Sequence, residues 1–500
     1  MSGSSYRTIL RSSAIIGGAQ VINILSGLLK MKVAAVLLGP AGVGLAGLYM
    51  NLVQTAASIA SLGMGNVGTR QIAAAHAEGG EIAVGRTRRA LFWGTMVLAL
   101  IGGVVFWLAS SWITRTVLAD ASLTSEVAWL SLGVTLSVAS GSQSALLTGM
   151  RRVGDLARIN VGAGLLGAIL GVVALWFWGR NGLLAMILVA PLASFILGHI
   201  YVARLAPPAG PRAALGEISA QWRDMARLGI PFMFSGLVIM LGQLAARALV
   251  QNDLGAEALG QFQAAWAIGM TYLGFVLGAM GTDYYPRLTA VINDHATAVR
   301  LVNEQTEVAL LLCAPVLLAM LGLAPWVIRL LYSNDFGPAV DILRWQLLGD
   351  ILKVMSWPLG FVLLARGAGK TFIFTETTGI ATFVLGIALL MPTLGVIATG
   401  TAFLAMYVIY LPLVWLVARW TIGFRWSRAV KAQATLLMFA AVGIELSSRW
   451  STHAGAATGL TLAIATGLWT LLRLTTMAGA PGRLGRIARI GERISQWMKR

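Results

Sequence analysis

An acid and a base lie three positions apart in a stretch that is otherwise apolar, residues 349–360, with the sequence GDILKVMSWPLG. Side chains three apart share one face of a helix, so Asp350 and Lys353 can partly neutralise each other. A charge inside an apolar, lipid-embedded helix costs from about 3 to more than 10 kcal/mol unless it faces protein or water. The pair therefore indicates either an ion pair that locks helix packing or a site for gating or for substrate charge.

Three further cations lie inside apolar stretches at corresponding places in two parts of the chain. When the sequence is compared with itself so that Leu254 falls on Leu38, Arg247 falls on Met31, between Lys30 and Lys32. If both stretches line one central cavity, these cations and Lys353 predict a site for an anionic substrate. Snorkelling of the long side chains to the membrane interface is the alternative interpretation.

Acidic residues suggest where gating or ion coupling takes place. We predict this role for Asp283, which lies in GTDYYPRL, for Asp350 and for Glu376. Asp283 and Glu376 are candidates for pairing with arginines at the cytoplasmic side, which would close a gate. Asp283 is also a candidate acceptor for a coupling proton, whereas Glu304 and Glu307 suit a helix N-terminus.

Signatures of an enzyme or a metal protein are missing from the sequence. The GAGK stretch at 367–370 lacks the rest of a phosphate-binding loop, and the four histidines show no ligand spacing. The single cysteine, Cys313, excludes a disulfide framework. We therefore predict a protein that is not an enzyme and binds no cofactor or metal, with a proton or sodium ion as possible coupling ion.

The composition predicts an all-α polytopic membrane protein. Hydrophobic residues make up 57% of the 500 residues and charged residues only 11%, whereas a soluble domain has about a quarter charged residues. Apolar runs of about 20 residues without alternation indicate membrane-spanning helices. We predict fourteen spans, at roughly 12–38, 43–65, 90–110, 127–149, 159–178, 182–203, 228–251, 258–281, 305–324, 341–365, 371–391, 394–418, 432–448 and 454–472.

The cations predict the orientation of these spans. With a cytoplasmic N-terminus, 28 of the 37 lysines and arginines fall on cytoplasmic segments. Only four fall on the loops of the outer side, Arg115, Arg180, Arg329 and Arg449, and the other five lie within predicted spans. Positive residues prefer the cytoplasmic side, so both termini are predicted there. The net charge of +18 therefore reflects membrane orientation. Nucleic-acid binding would require a basic soluble face with interleaved aromatic residues, and the sequence shows none.

Matches at a nearly constant offset predict an internal repeat. The offset that aligns Leu38-Gly39 with Leu254-Gly255 also aligns Met64-Gly65 with Met280-Gly281, without a gap. We predict two pseudo-symmetric six-helix lobes around a central cavity, followed by two additional helices. The predicted domains are an N-terminal lobe at 1–203, a cytoplasmic linker at 204–227, a C-terminal lobe at 228–420, two helices at 430–474 and a basic cytoplasmic tail at 475–500.

Three stretches carry a resemblance to a known family: SGLLKMKVAAVLLGPAGVGLAGLYMNLVQ, YYPRL with Asp283 just before it, and GDILKVMSWPLGFVLLARGAGKTFIFTE. Over about residues 10–420 the chain resembles the Wzx-type flippases of bacterial polysaccharide assembly. These include O-antigen and lipid III (enterobacterial common antigen) flippases, and belong to the multidrug/oligosaccharidyl-lipid/polysaccharide exporter superfamily. The last two predicted helices exceed the common twelve-helix plan of that superfamily.

The resemblance implies a substrate, a location and partners. We expect transfer of an undecaprenyl-pyrophosphate-linked oligosaccharide from the inner to the outer leaflet of the bacterial inner membrane, by alternating access. Membrane lipid, a polysaccharide polymerase and a chain-length regulator are the further expected partners. Two alternatives remain open: a cation-coupled multidrug antiporter of the same superfamily, and a structural partner of a polysaccharide synthase.

Overall fold

The computed structural model describes residues 3–78, 80–206 and 215–477, and these residues form α-helices joined by short turns. The basic tail predicted at 475–500 lies almost entirely outside them, as does part of the linker predicted at 204–227. The α-helices in this described part are α1 Gly3–Ala60, α2 Met64–Glu78, α3 Gly80–Ile113, α4 Thr124–Gly149, α5 Val153–Trp178, α6 Gly182–Ala203, α7 Leu215–Val291, α8 His295–Leu331, α9 Gly337–Ala365, α10 Gly369–Leu394, α11 Ala398–Ile422, α12 Arg428–Trp450 and α13 Thr452–Met477.

The helices confirm a polytopic membrane protein. Within the described residues, ten helical stretches are long and apolar enough to cross a membrane. Four of these have between 44 and 54 residues, about twice the length that spans a bilayer. A glycine with positive φ divides each of the four, at Gly39, Gly179, Gly255 and Gly395. If each of these four long stretches crosses the membrane twice, the ten stretches make fourteen crossings, which is the number of spans predicted from the sequence.

The backbone repeats at the offset found in the sequence. Gly39 and Gly255 are equivalent at that offset and have φ of 64° and 84°; Gly179 and Gly395 are likewise equivalent and have φ of 52° and 56°. Glycine adopts this left-handed conformation without the steric cost that a Cβ atom imposes. Helices α5 and α10 have 26 residues each and begin at equivalent positions of the repeat. The internal repeat is therefore visible both in matching residues and in the positions where helices begin and end.

Contacts divide the described residues into two compact units. Unit 1 lies within Met1–Gln263 and Leu331–Asp335, and unit 2 lies within Ala264–Leu330 and Phe336–Arg500. The short helix α2, which belongs to unit 1, occupies a segment predicted as a loop. Its Ile72 is fully buried and lies where a Cβ atom on Gly149 would be, so α2 packs on the end of α4.

Glycines allow α1 and α7 to approach closely within unit 1. A Cβ atom on Gly44 would lie 2.5 Å from the carbonyl oxygen of Ala256, and one on Gly260 would lie 1.8 Å from that of Pro40. Small residues at such crossings allow backbones in a membrane to pack by van der Waals contact. Any larger side chain at Gly260 would push the two helices apart.

The last two helices are packed against the body of unit 2. The hydroxyl of Thr470 on α13 donates a hydrogen bond of 2.8 Å to the carbonyl oxygen of Leu311 on α8. A Cβ atom on Gly459 would lie 2.7 Å from the Cα atom of Gly322, again between α13 and α8. The helix pair α12–α13 is therefore an integral part of unit 2.

Candidate functional site

Asp350 is completely buried in unit 2, and a tyrosine satisfies one of its oxygens. The hydroxyl of Tyr272 on α7 donates a hydrogen bond of 2.6 Å to Asp350 Oδ2. Hydrogen bonds to an ionised acceptor are about twice as strong as those between neutral groups. Tyr272 therefore ties α7 to α9 at the level of Asp350.

Lys353 does not form a close ion pair with Asp350, although the two charges attract each other. Its Nζ atom lies 3.3 Å from the sulfur of Met270 and 5.7 Å from the centre of the Phe403 ring. A thioether and an aromatic face are neutral, so these contacts hold the ammonium group without cancelling its charge. The structure thus places both residues in one buried cluster, but with different immediate partners.

Polar atoms without a hydrogen-bond partner lie close to Asp350. Gln346, on the same helix, is 1% exposed, and neither atom of its side-chain amide has a hydrogen-bond partner among the described residues; the same holds for Asp350 Oδ1. A Cβ atom on Gly269 would lie 3.6 Å from the Gln346 oxygen and 3.8 Å from Asp350 Oδ2, so the two side chains face the same glycine. Buried polar atoms without partners are uncommon in proteins.

Glu376 belongs to the same unit and reaches the cluster through tyrosines. The hydroxyl of Tyr410 donates a short hydrogen bond to Glu376 Oε1, and the Tyr410 ring lies 6.0 Å from that of Tyr407. The Tyr407 ring also lies 5.1 Å from that of Phe403, which Lys353 contacts. A chain of aromatic rings therefore connects Glu376 to the cluster of Asp350 and Lys353.

Arg247, which belongs to unit 1, is 4% exposed in the structure. Its Nε atom donates to Gln263 Oε1 at 3.1 Å, and one terminal nitrogen donates to the carbonyl oxygen of Gln243 at 3.0 Å. The guanidinium also lies 5.8 Å from the centre of the Phe262 ring. These three contacts fix the position of Arg247.

Lys30 and Lys32 are both half-buried on α1. Lys32 donates a short hydrogen bond from Nζ to the carbonyl oxygen of Tyr332, in the turn between α8 and α9 that belongs to unit 1. Gln261 binds the same turn, through the carbonyl oxygen of Asp335 at 2.8 Å. The two lysines therefore belong to the same unit as Arg247, and Lys32 ties α1 to a distant turn of the chain.

Asp283 lies apart from the buried clusters. Its carboxylate is 73% exposed and pairs at 3.1 Å with Arg287, one helical turn further on and itself 58% exposed. Exposed pairs at this spacing contribute about 0.3–0.5 kcal/mol. The described ion pair of Asp283 is thus local to α7.

One buried ion-pair network escaped the sequence analysis. Arg344, 8% exposed on α9, lies 3.7 Å from Glu445 on α12, and Glu445 also binds Arg449 at 3.1 Å. The signal was present, because Glu445 is the only acid in an otherwise apolar predicted span at 432–448. A charge at such a position requires a partner inside the protein.

The described residues contain no group of three or more His, Cys, Asp or Glu side chains arranged to hold a metal ion. Each unit contains a carboxylate that accepts a hydrogen bond from a tyrosine hydroxyl: Glu126 from Tyr49 in unit 1 and Asp350 from Tyr272 in unit 2.

Solved structures define the class of fold. The chain is similar to "Lipid II flippase MurJ, inward closed conformation", with a TM-score of 0.71 at 12% identity over 93% of this chain and 99% of that one. It is also similar to "Inward-facing conformation of a multidrug resistance MATE family transporter of the MOP superfamily", with a TM-score of 0.63 at 16% identity over 83% and 96%. The fold is that of the MurJ and MATE transporters.

Sequence comparison identifies the family. Residues 9–291, more than half of the chain, match the family described as "Polysaccharide biosynthesis protein", and the chain belongs to it. The proteins named "Lipid III flippase" of Escherichia coli (strain K12) and Shigella flexneri are each 23% identical to it over 420 residues, which cover 81% of this chain and 97% of theirs.

The Tyr272–Asp350 bond predicts a measurable contribution to stability. We expect Tyr272→Phe to lower the free energy of unfolding by about 1–3 kcal/mol, because it leaves a buried carboxylate oxygen without its donor. The measurement is the thermal denaturation midpoint of the purified protein in detergent. Tyr285→Phe on the same helix is the matched control, since Tyr285 is 40% exposed. Equal midpoints for the two variants would contradict the assignment.

Proposed function

We propose that the protein is a flippase that translocates an undecaprenyl-pyrophosphate-linked oligosaccharide, an O-antigen or similar polysaccharide repeat unit, across the membrane by alternating access. The observation that carries this proposal is the match to lipid III flippases over 97% of their length. The MurJ-like fold supports it, since a lipid II flippase has that fold. The activity is transport and not a chemical reaction on the substrate.

The cations of the two units give the proposal its physical basis. A diphosphate cannot cross a hydrocarbon layer without compensation of its charge. In this proposal Lys30, Lys32, Arg247 and Lys353 provide that compensation, and the polyprenyl tail stays in lipid. Gln263 holds the guanidinium of Arg247 in place, and Met270 and Phe403 do the same for the ammonium group of Lys353.

The acids of unit 2 are proposed to couple transport to a proton or a sodium ion. The partnerless oxygen of Asp350 and the amide oxygen of Gln346 are the proposed contacts of that ion. Glu376 is proposed to act with Asp350 through the tyrosines that join them. Asp283 is proposed to act in gating, where its exposed pair with Arg287 can open at little cost.

The protein is a multi-pass membrane protein, and we propose that it lies in the bacterial inner membrane with both termini in the cytoplasm. The distribution of lysine and arginine supports this orientation. A polysaccharide polymerase and a chain-length regulator are the proposed protein partners, because a flipped repeat unit is the material that such proteins use.

A cation-coupled multidrug antiporter is the second candidate function, since MATE transporters have the same fold. The buried positive charges favour an anionic substrate over a cationic drug. A structural partner of a polysaccharide synthase would need no buried charge at all. Transport of a labelled substrate by the purified protein separates these three functions.

Neutralising the cations should reduce transport. In proteoliposomes that contain a labelled polyprenyl-pyrophosphate glycan, we expect Arg247→Ala and Lys353→Ala to lower the initial rate about tenfold or more, as expected for the loss of a charge-assisted contact. Lys353→Arg keeps the charge and should retain more activity than Lys353→Ala. Lys431→Ala, at an exposed position of α12, is the control.

Two outcomes of that assay would count against the proposal. Equal rates for wild type, Arg247→Ala and Lys353→Ala would exclude the role of these cations. Absence of transport by a wild-type protein of normal thermal stability would point to one of the two other functions.

Removing the acids should abolish the response to an ion gradient. We expect a pH or sodium gradient to accelerate transport by the wild type, and Asp350→Asn and Glu376→Gln to transport at one slow rate with or without the gradient. Asp253→Asn, at an exposed position of α7, is the control. Retained acceleration in both variants would rule out coupling through these carboxylates.

The orientation can be read from cysteine labelling. In a Cys313→Ser background, we expect a membrane-impermeant maleimide applied to intact spheroplasts to label Asn334→Cys and to leave Lys431→Cys unlabelled. Both positions are exposed, so burial does not limit the reaction. The reverse pattern would place the termini on the opposite side.

A further inference from the structure

Two cavities of unit 1 share Arg88, near the start of α3. One, of about 540 Å³, is polar and is lined by His76, Glu81, Arg152 and Arg204 among others. The other, of about 240 Å³, is mainly apolar and is lined by Leu91, Phe92, Trp93, Leu146 and Val202 among others. Arg88 thus stands where a cationic space meets a hydrophobic one.

Hydrogen bonds fix Arg88 at this boundary. One terminal nitrogen donates to the carbonyl oxygen of Ala206 at 2.9 Å, and the other donates to that of Val202 at 3.2 Å, at the end of α6. A guanidinium has five N–H donors, so these two bonds leave donors for an acceptor in either cavity. Arg88 is therefore held in place while it retains the capacity to bind an anion.

The polar cavity carries an excess of positive charge that is also positioned by neighbours. Arg152 lies 3.4 Å from Asp155, and the guanidinium of Arg204 lies 4.8 Å from the centre of the Tyr201 ring. Together with Arg88 they provide three arginines, against Glu81 in the lining and Asp155 beside it. Planar guanidinium groups suit the oxygens of a phosphate.

The apolar cavity has the character of a membrane interface. Phe92 and Trp93 are 39% and 57% exposed and form an edge-to-face pair with ring centres 5.5 Å apart. Aromatic side chains of this kind collect where hydrocarbon meets headgroups. Gln143, 5% exposed, also lines this cavity, and its Oε1 atom has no hydrogen-bond partner in the described part of the chain.

We propose that this pair of cavities binds one anionic glycerophospholipid. Its phosphate lies at Arg88 and Arg204, and one acyl chain occupies the cavity lined by Leu91 and Leu146. Basic pockets between membrane helices are known to bind such headgroups. Free phosphate would leave the apolar cavity empty, and a neutral lipid would leave the arginines without an anion.

The test is native mass spectrometry of the full-length protein in detergent with equal concentrations of dioleoylphosphatidylglycerol and dioleoylphosphatidylethanolamine, which differ in headgroup charge. We expect at least fivefold more bound phosphatidylglycerol on the wild type. Arg204→Gln and Arg152→Gln should lower it at least fivefold. Arg86→Gln is the matched control, because Arg86 is exposed on the same helix as Arg88 and lines neither cavity.

A second variant tests the acyl-chain site separately. Val202→Trp should fill the apolar cavity and reduce phosphatidylglycerol binding to a similar extent, with every arginine intact. Arg88→Gln also removes two bonds to the end of α6, so Arg204→Gln and Val202→Trp are the decisive variants. The thermal midpoint of each variant is compared with that of the wild type to confirm that it is folded.

Four results would overturn the proposal: equal binding of the two lipids, equal losses for Arg86→Gln and Arg204→Gln, unchanged binding by Val202→Trp, or displacement by inorganic phosphate alone. Displacement by undecaprenyl phosphate at the same concentration would assign the cavities to the transported substrate instead. Because lipid binding is measured without transport, its outcome is independent of the proposed flippase activity.

Discussion

The free-energy cost of a charged or polar group in hydrocarbon is the constraint that shapes this protein. Several buried charges meet partners within their own unit: Arg247 binds two glutamines, Asp350 binds Tyr272, and Arg344 meets Glu445. The partners differ in kind. Arg344 meets a carboxylate, which suits a structural role, whereas Arg247 donates to a side-chain amide and to a backbone carbonyl oxygen.

The duplication preserved the backbone and allowed the side chains to diverge. The turn glycines at 179 and 395 have φ values of 52° and 56°, although the helices around them share few residues. At the same offset, the buried or half-buried charges Asp350, Lys353 and Glu376 of the second half correspond to the neutral Val134, Ser137 and Asn160 of the first. The backbone geometry is repeated in the two halves because the ends and crossings of the helices must fit together in each half. The ionisable cluster around Tyr407 belongs to the second half alone.

The sequence predicted the features that follow from local chemistry. Apolar runs located the fourteen crossings, and repeated glycines revealed the duplication, because both depend on neighbours in the chain. The same reasoning identified Asp350 and Lys353 as unusual, but it left open whether they form an ion pair or a site for gating or for substrate charge. Their actual neighbours, Tyr272 and Met270, lie about 80 residues away on α7, and no spacing rule reaches so far.

Helix α2 was missed for a different reason. It has only 15 residues and mixes polar with apolar side chains, so it lacks the long apolar run that indicates a membrane span. Its burial against α4 depends on tertiary packing, which the local pattern does not reveal. The roles proposed for the site residues remain predictions: Lys30, Lys32, Arg247, Lys353, Asp283, Asp350 and Glu376.

The ion pair between Arg344 and Glu445 has a consequence for biosynthesis. A ribosome delivers α9 to the membrane well before α12, so Arg344 lacks the carboxylate of Glu445 while the intervening helices are made. Of its two carboxylate partners, only Asp341, one helical turn earlier on α9 and 3.8 Å away, is present during that interval. The ion-pair network of unit 2 is therefore completed from the C-terminal end of the unit. A ribosome that stops before Glu445 would release an immature chain with an exposed intramembrane charge, a feature that membrane quality-control proteases are suited to detect.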